Sequence, residues 1–343
     1  MKNILITGGA GYVGTVLTKE LLKRGYTPDV ADTLWYGNYL PENIDVKKIN
    51  ICELKQQDVE PYDVVIFLGG VSNDPMAEYC PSVNFRENMA TPVYLAHITR
   101  KAAGDIKSPK RFIYASSCSV YGYTSNNLMS ETDPVPPPHF PYGISKLGGE
   151  RAVMSLEDEY FKPISLRKGT VGGWSPRMRF DLVVNVMTKV GLTKGEIVVN
   201  NPSLWRPLVD IRDVANAYIR SIESNINITG VYNISYDNYT IGRLADEVKE
   251  EFAAFDKEIK IKTFQNEDLR NYKVSTDKAK KELDFVAKFS PKDSVRKILN
   301  NLVSEGSSSG TQHSIKEPNG ELYPITDRRY LNLEVFKEIF TSK

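Results

Sequence analysis

Residues 2–14 read KNILITGGAGYVG. A short apolar run stops at a glycine-rich turn, and the sequence after it is compatible with a helix from about residue 11 to 23. That succession predicts strand, tight turn and helix. Gly8, Gly11 and Gly14 then have separate tasks. Gly8 permits the turn, Gly11 lets a pyrophosphate approach the backbone, and Gly14 lets helix and strand pack closely. A glycine turn without a ligand is the alternative reading of this stretch taken alone.

Further along, short β-rich runs alternate with helical patterns: 27–32, 46–50, 63–68 and 111–116 as strands, with helices over about 83–103 and from 142. Another strand is expected at 163–168. Parallel strands each need a crossover, so this alternation predicts an α/β fold, a Rossmann-type doubly wound parallel sheet. Prolines in 131–143 exclude helix or central strand there and predict a loop over the carboxyl edge of the sheet. After residue 168 the units become smaller: a helix near 180–193, a strand at 195–200, a helix at 211–223 and a strand at 230–235. We therefore expect a first domain over 1–168 and a smaller mixed α/β substrate-binding domain mainly within 169–303, with some segments returning to the first. The remainder, 304–343, reads as a linker, SEGSSSGT, and a tail helix. Its apolar stripe of Leu331, Val335, Phe336, Ile339 and Phe340 should dock on this same domain, partner binding being the alternative.

With 44 basic and 43 acidic residues among 343, the chain carries no field that would draw it onto nucleic acid or anionic lipid. No apolar stretch is long enough to span a bilayer, and the start lacks the pattern of a signal peptide, so a cytoplasmic protein is expected. Three cysteines without close pairing and three histidines argue against a disulfide framework, a metal site and a histidine-based triad.

Asp32 ends the second predicted strand, 18 residues beyond Gly14, where a carboxylate can accept the ribose hydroxyls of an adenosine. Thr33, Leu34 and Trp35 follow it, with no arginine to balance a 2′-phosphate, so NAD is favoured over NADP. Tyr142 and Lys146 lie one helical turn apart in YGISK. A tyrosine alone is a poor base near neutral pH, and a neighbouring ammonium stabilises its phenolate. Tyr142 could then take the proton of a sugar hydroxyl, with Ser117 of SSCSVYG bonding the same oxygen. A surface Tyr and Lys pair is the bland alternative.

Together, TGGAGYVG, Asp32, SSCSVYG and YGISK resemble the extended short-chain dehydrogenases/reductases, in particular their nucleotide-sugar epimerase/dehydratase group, over roughly residues 1–303. The resemblance implies bound NAD and a catalytic Ser117, Tyr142 and Lys146. It adds Tyr12, Val13, Asn50, Ile51, Leu68, Gly69, Gly70 and Asn88 to the cofactor site. Where relatives read H-L-A-A this chain has FLGGVSNDP, so Ser72 and Asn73 are expected to face substrate, a capped turn at Asp74 being the alternative. Cys118, Thr170 and Asn185 join the substrate side, and Arg206 and Arg270 are the expected ligands of its diphosphate. Arg177 and Arg179 flank the same region as lesser candidates. Asp210 and Asp213 read as caps of the helix beginning near residue 211.

Dehydratases of the group carry an acid and a base where this chain has Cys118 and Ser119, and the related decarboxylases carry a glutamate at the second of these. Hydride chemistry alone remains. The expectation is an NAD-dependent nucleotide-sugar epimerase acting at sugar carbon 4, with a one-way 4-dehydrogenase or 4-ketoreductase as the alternative and a non-catalytic dinucleotide-sensing protein as the remote one. The resemblance also implies a homodimer paired through helices 83–103 and 142–160.

Overall fold

The structure, a computed structural model, describes residues 2–135, 138–265, 270–307 and 310–341. Residues 136 and 137 of the expected 131–143 loop, 308 and 309 of the expected linker, and the last two residues of the tail lie outside the described residues. Seven parallel strands form the main sheet, in the order Gly230–Ile234, Phe161–Lys168, Lys110–Ser117, Val64–Phe67, Ile4–Thr7, Asp29–Asp32 and Val46–Lys48. Neighbours pair in parallel throughout, for instance Ile4 with Val64 and Lys110 with Phe161. The central strand Val64–Phe67 is apolar along its whole length, as burial on both faces requires, and all its residues are fully buried. Order reverses between Ile4–Thr7 and Val64–Phe67, and such switch points open a crevice at the carboxyl ends of the strands.

One helix expected over 83–103 is a composite: Pro81–Phe85, a π-helical turn at Arg86–Ala90, then Thr91–Ile106. Smaller sheets flank the crevice. Trp205–Asp210 pairs with Asp237–Thr240 and with Thr170–Gly172, and Glu196–Asn200 pairs with Lys260–Phe264. Helices Val183–Lys194, Ile241–Ala253 and Pro291–Asn300 close a separate apolar core on them, around Leu208, Leu244 and Phe252. The strand Gly230–Ile234 returns to the main sheet, so the two halves of the chain share a core. Asp210 caps Ile211–Glu223 by accepting from the Arg212 amide. Asp213 is not a cap: it accepts from the amides of Lys288 and Phe289, and burial pushes its carboxyl up to about 6.

The region read as a flexible linker is instead ordered backbone. Val303–Ser307 and Gly310–Lys316 pair antiparallel, and Leu322–Pro324 adds a third strand. Composition favours flexibility there, but the backbone pairs with the strand that follows, Ser304 with His313 and Glu305 with Gln312, and that ladder outweighs it. The tail helix forms at Asn332–Thr341 and docks on this chain, with Phe336 fully buried. No helix among the described residues is long and apolar enough to cross a membrane.

Candidate active site

At the end of the first strand Gly8 takes φ +75°, and a Cβ there would lie 2.4 Å from the Gly69 amide nitrogen. A Cβ on Gly14 would lie 2.2 Å from the Gly9 carbonyl oxygen. Gly11 differs: nothing comes nearer than 3.4 Å, so its glycine keeps room for a ligand rather than for the protein. Asp32 accepts from the amides of Ala10 at 3.0 Å and Leu34 at 2.7 Å, which ties the glycine turn to the second strand. Leu34 sits in the left-handed region at φ 57°, a conformation an ordinary side chain holds only when its surroundings impose it. Burial raises the Asp32 carboxyl above its usual range, opposed by those amides and by the nearby Arg177.

A cavity of about 800 Å³ runs from this turn across the carboxyl ends of the strands. Gly8, Gly11, Tyr12, Val13 and Gly14 line one end, with Leu68, Gly69 and Gly70 beside them. Ser117, Tyr142 and Lys146 all stand on its wall. Ser117 ends its strand and accepts from the Ser119 amide at 3.1 Å, which fixes its hydroxyl. Tyr142 and Lys146 occupy the first turns of the helix Pro141–Met154. Enclosure pushes the Tyr142 phenol up to about 12, the Ser117 hydroxyl opposing this by hydrogen bonding. Lys146 donates to the Ala115 carbonyl at 3.1 Å, its nitrogen 6.0 Å from the centre of the Tyr142 ring. Burial lowers that ammonium to about 7.

The helix is held where it is by two features of YGISKLGGE. A Cβ on Gly149 would come within 2.4 Å of the Asn88 carbonyl oxygen, so glycine lets the helix lie against the π-helical turn. Glu150, buried, accepts from Arg167 Nη2 at 2.6 Å, from Arg167 Nε and from Ser165 Oγ. Arg167 extends the network to Tyr121 Oη at 2.7 Å.

Several expected site residues lie elsewhere. Cys118 is buried with its thiol donating to the Arg167 carbonyl, and burial raises its pKa; the Ser119 side of that turn faces the cavity instead. Asn185 is fully buried and spent on protein, accepting from the Gly173 amide and donating to Tyr12 Oη and the Arg179 carbonyl. Asn88 does not line the cavity either: its amide donates to the Val71 carbonyl and Asn84, holding the Gly70 turn. Asn50 caps its own short helix through the Cys52 amide, and Ile51 packs under Gly69. Sequence distance hides these outcomes, since most of the partners come from another strand or helix.

On the substrate side, Ser72, Asn73, Thr170, Arg206 and Arg270 line the cavity. Asn73 accepts from the Met76 amide, so it, and not Asp74, caps the next helix, while its amide reaches Asp181 at 2.8 Å. Asp74 pairs with Arg270 at 2.6 Å. Arg206 donates to the carbonyls of Trp205 and Arg270. Arg177 and Arg179 are buried rather than solvated: the first stacks 4.2 Å from the centre of the Tyr36 ring, and the second makes a two-bond pair with Asp181. Lys168, Tyr272 and residues 331–334 also line the cavity and carry no sequence signal that marks them. Lys168 donates to Tyr218 Oη at 3.3 Å, and burial with the neighbouring Lys146 lowers its pKa.

Compared with known proteins, residues 4–235 match the model of the NAD dependent epimerase/dehydratase family. UDP-glucose 4-epimerase 3 of Oryza sativa subsp. japonica is 25% identical over 335 residues, covering 86% of this chain and 88% of the relative. A crystal structure of the UDP-glucose 4-epimerase of Thermotoga maritima with UDP-glucose superposes with TM-score 0.74 at 26% identity, over 87% of this chain and 97% of its own. The Thermus thermophilus UDP-glucose 4-epimerase with NAD gives TM-score 0.73 at 22% identity, over 87% and 98%, a likeness of fold. The roomy glycine turn, braced by the Asp32 carboxylate through the Ala10 amide, and the crevice beside it fit an NAD molecule. The chain belongs to the NAD dependent epimerase/dehydratase family, an enzyme family whose cofactor is NAD.

Proposed function

We propose that this enzyme is a nucleotide-sugar epimerase acting at carbon 4 of the sugar, with a UDP-sugar as its substrate class. The observation that carries the reading is a cavity that holds Ser117, Tyr142 and Lys146 together with Arg206 and Arg270. The likeness to UDP-glucose 4-epimerases supports it. The absence of a carboxylate at Cys118 and Ser119 speaks against elimination, which needs an acid and a base there.

Gly8, Gly11, Tyr12, Val13, Asp32 and Lys146 would hold NAD, which when bound supplies the reversible two-electron acceptor. Ser117 holds the sugar oxygen. Tyr142 takes the proton from that oxygen and returns it once the opposite face is reduced, so the protein ends each cycle unchanged. Lys146 keeps the phenolate accessible by its charge, and the two arginines bind the diphosphate, their planar forks matching two oxygens.

The test is incubation of the purified enzyme with UDP-glucose, UDP-N-acetylglucosamine and UDP-glucuronic acid, with chromatographic separation of the 4-epimers and absorbance near 340 nm. Appearance of a 4-epimer without net NADH is expected. Net NADH or a keto sugar without the inverted product would identify a one-way dehydrogenase and sink the epimerase reading.

A further inference from the structure

The segment beyond residue 303 lies outside the residues 4–235 matched by the family model, yet it reaches the cavity. Leu331, Asn332, Leu333 and Glu334 stand on the cavity wall. Packing puts them there. The ring of Phe336 meets Trp35 at 6.1 Å and Tyr79 at 6.3 Å, and Phe340 meets Trp35 at 5.1 Å. Tyr79 Oη also bonds Thr341 Oγ1 at 2.6 Å. Trp35 lies just past Asp32, and Tyr79 ends the helix Asp74–Tyr79. The last helix therefore bridges the two lips of the crevice.

Its first residue, Asn332, is 3% exposed. The side-chain amide donates to Ser72 Oγ at 2.9 Å, and its Oδ1 has no partner. Ser72 lines the cavity as well, and its other contact is the Met76 sulfur at 3.7 Å, a weak acceptor. A buried amide oxygen without a donor is unfavourable, and that of Asn332, unlike the equally unpartnered Oδ1 of Asn88, belongs to a residue of the cavity wall. Side by side, an open acceptor on Asn332 and a hydroxyl hydrogen on Ser72 match the two ends of an alcohol.

We propose that Asn332, supplied by the C-terminal segment, is a ligand-binding residue that acts with Ser72 to hold a hydroxyl group of a bound ligand. The hydroxyl donates to Asn332 Oδ1 and accepts from Ser72 Oγ–H. Two ligands carry that chemistry at this place: the ribose of NAD, and the hexose of a nucleotide sugar. Only the second source rests on the functional reading above.

The experiment is equilibrium titration of full-length wild type, Asn332→Leu, Asn332→Asp and Ser72→Ala with NAD, UDP-glucose and UDP. Asn332→Leu keeps the volume and removes both hydrogen-bonding ends, and should weaken one ligand by about ten-fold or more. Loss for NAD alone assigns the ribose; loss for UDP-glucose but not UDP assigns the hexose. Asn332→Asp keeps an acceptor for the ligand but draws the Ser72 hydrogen to its own carboxylate, so it should recover only part of the affinity, while Ser72→Ala should weaken the same ligand. Should Asn332→Leu fail to fold, Ser72→Ala decides, because it leaves the tail untouched. NAD and UDP-glucose both bound as in wild type would overturn the proposal, and so would an equal loss for all three ligands, which marks a collapsed cavity. If wild type binds NAD but not UDP-glucose, the nucleotide-sugar reading fails while the NAD titrations still decide Asn332.

Discussion

Tyr142 and Lys146 share one face of a buried helix, with the ammonium nitrogen 6.0 Å from the centre of the phenol ring. With the phenol pushed up to about 12 and the ammonium lowered to about 7, the pair holds two protons in acid and one above about pH 7. The one-proton form is mainly neutral amine beside phenol, with phenolate beside ammonium as its minor, reactive tautomer. Hence kcat/KM should rise through about pH 7 and then level off, as measured with the native substrate over pH 5.5–9. Lys146→Ala should move that rise upward toward the phenol's own titration and lower kcat at least about 100-fold. Tyr142→Phe should lower turnover by a similar factor, at least about 100-fold, with NAD bound within about three-fold of wild type. A variant that keeps turnover would remove the phenol from the chemistry. Not every side chain here was legible. Cys118 and Ser119 are adjacent in sequence, and only the short helical turn decides that the serine side faces the cavity while the thiol turns to Arg167.

The helix Pro141–Met154 can present its tyrosine and lysine because its other end is anchored. Glu150 and Arg167 form a buried pair, with the carboxylate also bonded to Ser165, and the pair fixes the helix against the strand beneath. Glu150→Ala should destabilise by about 3–5 kcal/mol in urea unfolding, since the guanidinium is then left buried and uncompensated. The last helix is held by aromatic packing instead. Phe336→Ala should cost about 3–5 kcal/mol and, unlike a surface change, should also loosen the crevice. The loss would show as weaker NAD binding in the same preparation. From sequence, the helical stripe of the tail was readable by its period. Its landing site was not, because Trp35 and Tyr79 are distant in sequence. The strand Tyr123–Met129 escaped for the same reason: its partner, Asn271–Val274, is far along the chain.

At the scale of the whole molecule, the composite helix over 81–106 and the helix Pro141–Met154 leave Phe85, Met89 and Ile144 exposed, at 37%, 40% and 41%. Gly148 brings the two helices close, with the Met89 sulfur 2.9 Å from where its Cβ would be. We propose that a second copy of the chain covers this face in a homodimer. Sedimentation of wild type should give twice the mass of one chain, and Met89→Asp with Ile144→Asp should give single chains. A wild type that sediments as one chain would refute the dimer. The division expected at residue 168 rests on the shortening of the units there in the sequence. In space the halves mix, because Gly230–Ile234 adds to the main sheet beside Phe161–Lys168.

Local rules made the parallel sheet, the glycine turn and the one-turn spacing of Tyr142 and Lys146 readable from the chain alone, since each depends on spacing within one strand, turn or helix, whereas Ser117, on another element, joined them through the resemblance to a family. Which polar groups the cavity keeps for ligands was settled only by tertiary packing. Asn185 is consumed by Gly173, Arg179 and the distant Tyr12, Asn88 gives its amide hydrogens to Val71 and Asn84, and Asn332 arrives at the wall from the end of the chain. A hydrogen bond is satisfied by whatever the fold brings within about 3 Å, and that neighbour is not encoded in sequence distance.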